Sequence, residues 1–264
     1  MEIPREVRAF AMPRVPDTAD PRALVAARDR LAAFLAALER WAPSGGKPGP
    51  RVSLEGLAPA ALDVASQVLG EGEVSIHITG ARDVRIQEAV FTGVWRVREL
   101  GADGSLLADT LEAGALPAIV GESAQAAAVV TLPEVELPGG IMNAPMLLRE
   151  IEARAREWLP GHPPHVVNLT LLPMTPADHA VLEQSLAPGP VTVVTRGFGS
   201  CQITSTRLRN VWRLRHFNNM KTVILNTLIV AGVPEEAMAA REDLEDSRER
   251  LAELITWMSE SSPP

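Results

Sequence analysis

The apolar positions of this chain change their period in a fixed order, and that order occurs twice. Stretches 21–42 and 145–159 are amphipathic at helical spacing, and in each a Pro follows shortly after a Trp, Pro43 after Trp41 and Pro160 after Trp158. A short apolar strand is expected next, clear in 166–172 and weaker in 51–54. Second helices are predicted over 58–69 and 175–186. The later one opens with Thr175-Pro176-Ala177-Asp178, which supplies an N-cap, a Pro at N1 and an acid in the first turn. Alternating β-rich segments follow, 73–79, 84–90 and 93–99 in one half and 190–196, 201–208 and 210–217 in the other. The run 221–232 reads as a further strand with a degenerate counterpart near 105–114. The chain closes in a helix over 234–258, apolar on one side and carrying Glu242, Asp243, Glu245 and Asp246 on the other.

The two series are one unit written twice. At a constant offset of 117 with no gap, Val94-Trp95-Arg96 falls on Val211-Trp212-Arg213, Trp41 on Trp158, Leu54 on Leu171 and Pro59 on Pro176. Trp is rare here, five residues in 264, so two pairs in one register mark a repeat. The fold expected is α+β, two tandem homologous repeats each with helices packed on a mixed or antiparallel sheet, related by a pseudo-twofold. The boundaries expected are a flexible, Pro-rich arm over 1–20, a first repeat over 21–140 and a second over 141–264 that ends in the long helix. Segment 118–145 departs most between the halves and is the expected junction.

A hydrophobic fraction of 46% with 22% charge describes a globular chain, and no run reaches the ~18 apolar residues of a membrane span. Neither a basic n-region with an apolar core nor a twin-Arg signal opens the sequence, so a cytoplasmic protein without membrane insertion is expected. One cysteine excludes an internal disulfide framework. A net charge of −8 speaks against nucleic acid as a partner, because phosphate needs a basic surface. The cations are 23 Arg and 2 Lys, so they are planar and bidentate rather than point charges.

Candidate chemistry is sparse. The five His are dispersed apart from His162 and His165 in a Pro loop, so no metal site is expected, and Gly197-Phe198-Gly199-Ser200 lacks the downstream Gly and Lys of a nucleotide loop. No catalytic constellation and no cofactor are expected. Cys201 is a possible reactive thiol, against the simpler reading of a small buried apolar residue. Arg207, Arg209, Arg213 and Arg215 are all odd-numbered, so a continuous strand would set four guanidiniums on one face as a site for a partner's carboxylates or carbonyls. The competing reading is internal neutralisation by the acidic side of the last helix.

The run from Arg196 to Trp212, with Gly197-Phe198-Gly199-Ser200-Cys201 at its start, resembles the signature segment of the HupH or HyaF hydrogenase expression/formation family. So do 166–173, Phe217-Asn218, 224–228, Glu242-Asp243-Leu244-Glu245-Asp246-Ser247 and, in the first half, 86–97. The resemblance implies a cytoplasmic accessory protein for uptake nickel-iron hydrogenase, acting in maturation of the iron-sulfur small-subunit precursor before export. On that reading Arg207, Arg209 and Asn210, with Gln87 and Glu88 of the first half, form the partner-binding surface. Two alternatives stay open: a thiol-dependent maturation enzyme using Cys201, and a passive scaffold joining other maturation factors. The oligomeric state is left open.

Overall fold

The structure, a computed structural model, describes residues 20–41, 49–196 and 200–260. The arm expected before Asp20, the Gly197-Phe198-Gly199 part of the expected signature segment and the last four residues lie outside the described residues. In the first half, α1 (Pro21–Arg40) leads to β1 (Arg51–Ser53), α2 (Pro59–Leu69), β2 (Val74–Ile78), β3 (Asp83–Glu88), β4 (Val94–Leu100), β5 (Leu106–Ala113) and α3 (Ala118–Ala126). In the second, α4 (Ala144–Glu157) leads to β6 (His165–Asn168), α5 (Pro176–Ser185), β7 (Pro188–Thr195), β8 (Ser200–Thr206), β9 (Val211–Phe217) and β10 (Val223–Val230). A 3-10 turn (Glu235–Ala237) and α6 (Arg241–Glu260) follow where one continuous helix is expected from the sequence.

Local chemistry sets several of these boundaries. Asp20 accepts from the backbone N–H of Arg22 at the start of α1, with Pro21 at N1. Thr175 and Asp178 form the capping box of α5. The same Asp178 carboxylate, fully buried, accepts the N–H groups of Met142, Asn143 and Ala144 and so anchors the N-terminus of α4. Burial works to raise its pKa, but the backbone N–H groups of Ala144, Thr175 and Met142, with the Thr175 hydroxyl, outweigh it and hold the group below the usual carboxylate range.

All ten strands form one antiparallel sheet in the order β1-β5-β4-β3-β2-β7-β8-β9-β10-β6. Read outward from the β2–β7 junction, each half lays down its five strands in the same sequence. At that junction Ile76 sits opposite Val193, its own counterpart at the 117 offset. The Trp pairs repeat as well: Trp95 and Trp212, both buried, donate their indole N–H to the carbonyls of Gly114 and Gly232, each at 2.9 Å. The rings of Trp41 and Trp158 lie over the same two glycines, and a Cβ on Gly232 would meet the Trp158 ring at 2.8 Å.

Three cores result. On one face α3 and the 231–239 segment cover Ile76, Ile86, Trp95, Val193, Ile203 and Trp212 at the centre of the sheet. On the other face α1 and α2 cover the outer strands of the first half, while α4 and α5 cover those of the second. Helix α6 crosses over: Leu244, Leu251 and Met258 complete the core of the first half, against α1.

Candidate functional site

The odd-numbered Arg series does not run along one strand. Chain reversal at 207–210 separates β8 from β9, with Asn210 at φ 61, a left-handed conformation that Asn tolerates. Arg207 and Arg209 therefore lie in a turn, Arg207 half-buried and Arg209 exposed, and the turn is tied down by Val129 through Arg207 O and Arg209 N. Arg213 and Arg215 lie on β9 and share the carboxylate of Glu183 on α5, at 2.5 and 2.7 Å. Internal neutralisation is thus real for these two, but it comes from α5 and not from the last helix.

Gln87 and Glu88, being consecutive on β3, point to opposite faces. Gln87 donates its amide to the carbonyls of Gly72, Val74 and Glu88. Glu88 is buried and accepts from Gly93 N–H. Burial pushes its pKa up to about 7 against the backbone hydrogen bonds of Gly93 and Val74, and the charges of Glu73 and Asp243 add to the rise. Cys201 is in the central core, paired across the sheet with His216 but without a hydrogen bond to it, and burial with the nearby Glu236 pushes its thiol up to about 11. The five expected partner-binding residues are not brought onto one surface.

What the two flanking helix groups leave uncovered is the middle of the sheet. Cross-strand partners share a face, so the register defines two rows of side chains there. One row runs Asp109, Arg98, Arg85, His77, Thr192, Thr204, Arg213; the next runs Leu111, Arg96, Gln87, Ser75, Val194, Gln202, Arg215. Outer members are held by the walls. Arg96 makes a bidentate pair with Asp109 at 2.9 and 2.6 Å and donates to Ser66 Oγ of α2 at 2.7 Å. Arg213 donates to Asn226 Oδ1 at 3.0 Å and pairs with Glu183. Burial, then the neighbouring Arg215, lower the Arg213 pKa, and Glu183 opposes that.

Inner members are open. His77, Arg85 and Arg98 are exposed, and with Ser75, Gln87 and Val194 they line a cleft of ≈ 320 Å³. Asp83 takes His77 Nε2 at 3.0 Å and Arg85 at 3.5 Å. Arg98 makes no ion pair or side-chain hydrogen bond among the described residues. The signal for these residues was in the sequence: buried Val84 and Ile86 alternate with Asp83, Arg85 and Gln87, and buried Val97 stands between Arg96 and Arg98.

A family model described as "HupH hydrogenase expression protein, C-terminal conserved region" matches residues 24–130 and 141–258, segments that begin at the same offset of 117. The chain is 42% identical to the hydrogenase expression/formation protein HoxQ of Cupriavidus necator, over 98% of this chain and 90% of that one. It is 40% identical to the hydrogenase-1 operon protein HyaF of Escherichia coli, over 74% of this chain and 69% of that one. A solved chain described as hydrogenase expression protein HupH from Thiobacillus denitrificans gives a TM-score of 0.40 at 31% identity, covering 45% of this chain and 96% of that one. The chain therefore belongs to the HupH hydrogenase expression protein family.

Proposed function

We propose that this protein is a cytoplasmic accessory factor in the maturation of an uptake nickel-iron hydrogenase, and that it holds the iron-sulfur small-subunit precursor before export. The carrying observation is the near end-to-end similarity to a hydrogenase expression/formation protein, 42% over 98% of the chain. Binding rather than chemistry accounts best for the exposed cationic groups, Arg85 and Arg98 on the sheet and Arg209 at the β8–β9 turn. A thiolate mechanism through Cys201 would work against its burial, which stabilises the protonated form. The palindromic strand order also supports a pseudo-twofold between the halves, its axis beside Ile76 and Val193.

Affinity isolation from cells making the hydrogenase tests the reading. The precursor of the small subunit should come down with this protein, and should bind the purified protein with no third component. Capture that requires another maturation factor would make the protein a scaffold instead. Reversal of charge at Arg209 together with Arg207 should weaken capture while the thermal transition stays in place.

A further inference from the structure

The two Arg side chains at the open centre of the sheet are placed unfavourably for a free protein. Arg85 and Arg98 are direct cross-strand partners, and like charges in that position repel; on its other side Arg98 faces Asp109, whose two oxygens are both held by Arg96. Their surroundings offer little relief. On this face the paired residues of β2, β3, β4, β7, β8 and β9 include five Arg (85, 96, 98, 213 and 215) and a His, against a single acid, Asp83. Two further carboxylates reach in from the flanks, Asp109 and Glu183, and both are consumed by Arg96, Arg213 and Arg215. Five guanidiniums thus share three carboxylates in a protein whose net charge is −8.

The walls restrict what could supply the missing anions. Five adjacent strands, β4, β3, β2, β7 and β8, carry the open side chains of this face, and at ~4.8 Å per strand their outer axes are about 19 Å apart. A strip of that width fits one extended chain or one helix of ~10 Å diameter. The floor favours a polar occupant, since Ser75, Gln87, Thr192, Gln202 and Thr204 line it around one apolar residue, Val194.

We propose that this strip seats a single acidic polypeptide segment of the client, with Asp or Glu carboxylates of that segment received between Arg85 and Arg98. The proposal rests on the client-holding reading above and names the part of the client that is held. Guanidinium pairs suit it because each can grip a carboxylate through two parallel N–H groups. Seating an anion there also removes the repulsion that the free protein carries.

The test is capture of the small-subunit precursor by full-length protein, comparing wild type, Arg85→Glu/Arg98→Glu, and a charge-matched control, Arg40→Glu/Arg248→Glu, on exposed positions of α1 and α6. Capture should fall about tenfold or more in the strip variant and stay near wild type in the control. A strip variant that melts like wild type and captures as well as wild type overturns the proposal. Should the reversal variant fail to fold, Arg85→Gln/Arg98→Gln replaces it with the same two outcomes. If wild type captures no precursor at all, the client reading fails first, and the strip is then judged with a fluorescent decapeptide of alternating Glu and Gly. Binding to wild type that disappears in the strip variant sustains an acidic-segment site; equal binding to both, or none to wild type, removes it. A wild type that sediments as a dimer while the strip variant is a monomer would show that a second copy occupies the strip, and would overturn the proposal.

Discussion

Arg96 and Arg213 occupy the same place in the two halves, on the fourth strand with a wall helix above, and each has its charge met by a different neighbour. In the first half the strand partner is Asp109 and the helix supplies a hydroxyl, Ser66. In the second half the strand partner is Asn226 and the helix supplies the carboxylate, Glu183. Positions 109 and 226, and 66 and 183, correspond at the 117 offset, so one negative charge has moved from sheet to helix while the cation stayed. The move changes what happens next door. Glu183 reaches Arg215 as well, whereas both oxygens of Asp109 are taken by Arg96, which leaves Arg98 unpaired. The same neutralisation achieved by another route is what leaves the first half a cation, Arg98, without an ion pair among the described residues.

The largest expected effect breaks this comparison at its most buried carboxylate. The Asp109 side chain is 3% exposed and its Arg96 partner 17%, so Asp109→Asn leaves a partly desolvated cation without a counter-charge and should cost about 3–5 kcal/mol in denaturant unfolding. Glu183 is 47% exposed and water screens its pairs, but the Arg213 side chain is only 10% exposed, so Glu183→Gln should cost less than Asp109→Asn and more than a surface pair, about 1–2 kcal/mol. Adding Ser66→Glu to Asp109→Asn rebuilds the arrangement of the second half inside the first and should restore most of the loss. An Asp109→Asn protein as stable as wild type would show that the counter-charge is not what holds Arg96.

A second asymmetry concerns Glu88, whose counterpart at the offset is the buried hydroxyl of Ser205. Burial raises the Glu88 carboxyl from an ordinary 4.5 to about 7, so the folded state retains a proton that the unfolded chain releases. Stability is therefore full below pH 4.5, falls as pH rises toward 7 and levels off above, by up to about 3 kcal/mol on linkage grounds. Glu88→Gln keeps an oxygen for Gly93 N–H and cannot ionise. It should flatten this part of the pH–stability curve and be more stable than wild type above pH 7. Ser205→Ala should lower stability by the same amount at every pH. Parallel pH curves for wild type and Glu88→Gln would place the titrating group elsewhere.

Much of this architecture can be read from sequence because the two halves were never far apart in register. The offset, the Trp pairs and the capping box of α5 all rest on residues whose local chemistry is distinctive. The segment expected at 201–208 overruns β8, which ends at Thr206, because Leu208 stays buried beside Val129 in the turn that follows. Equivalent positions can also part company: Leu54 is 2% exposed and Leu171, its partner in the repeat, is 79% exposed. Period fixes which side of an element is apolar, but the layer that covers it is decided by contacts distant in sequence. The crossing of α6 onto α1 and the bare centre of the sheet are both of that kind. The candidate strip is half legible: Gln87, Arg213 and Arg215 are among the residues the sequence marks, whereas Arg85 stands between the buried Val84 and Ile86 with no signal beyond that alternation.

The smallest effect has opposite signs in the two halves and so tests the comparison most closely. Arg98 faces Arg85 across the strand pair, while Arg215, its counterpart, faces Gln202, the counterpart of Arg85. Removing the charge of Arg98 relieves a repulsion, so Arg98→Gln should stabilise the isolated protein by roughly 0.2–1 kcal/mol. Removing that of Arg215 loses a half-exposed pair with Glu183, so Arg215→Gln should destabilise it by a similar ~0.2–1 kcal/mol. Both differences are surface electrostatics and should shrink toward zero in 1 M salt, where the screening length is only about 3 Å. Thermal unfolding at low and high salt reads both signs in one series. If both substitutions destabilise, Arg98 has a counter-charge within the free protein, and the unpaired cation of the first half is lost as an argument for an acidic partner.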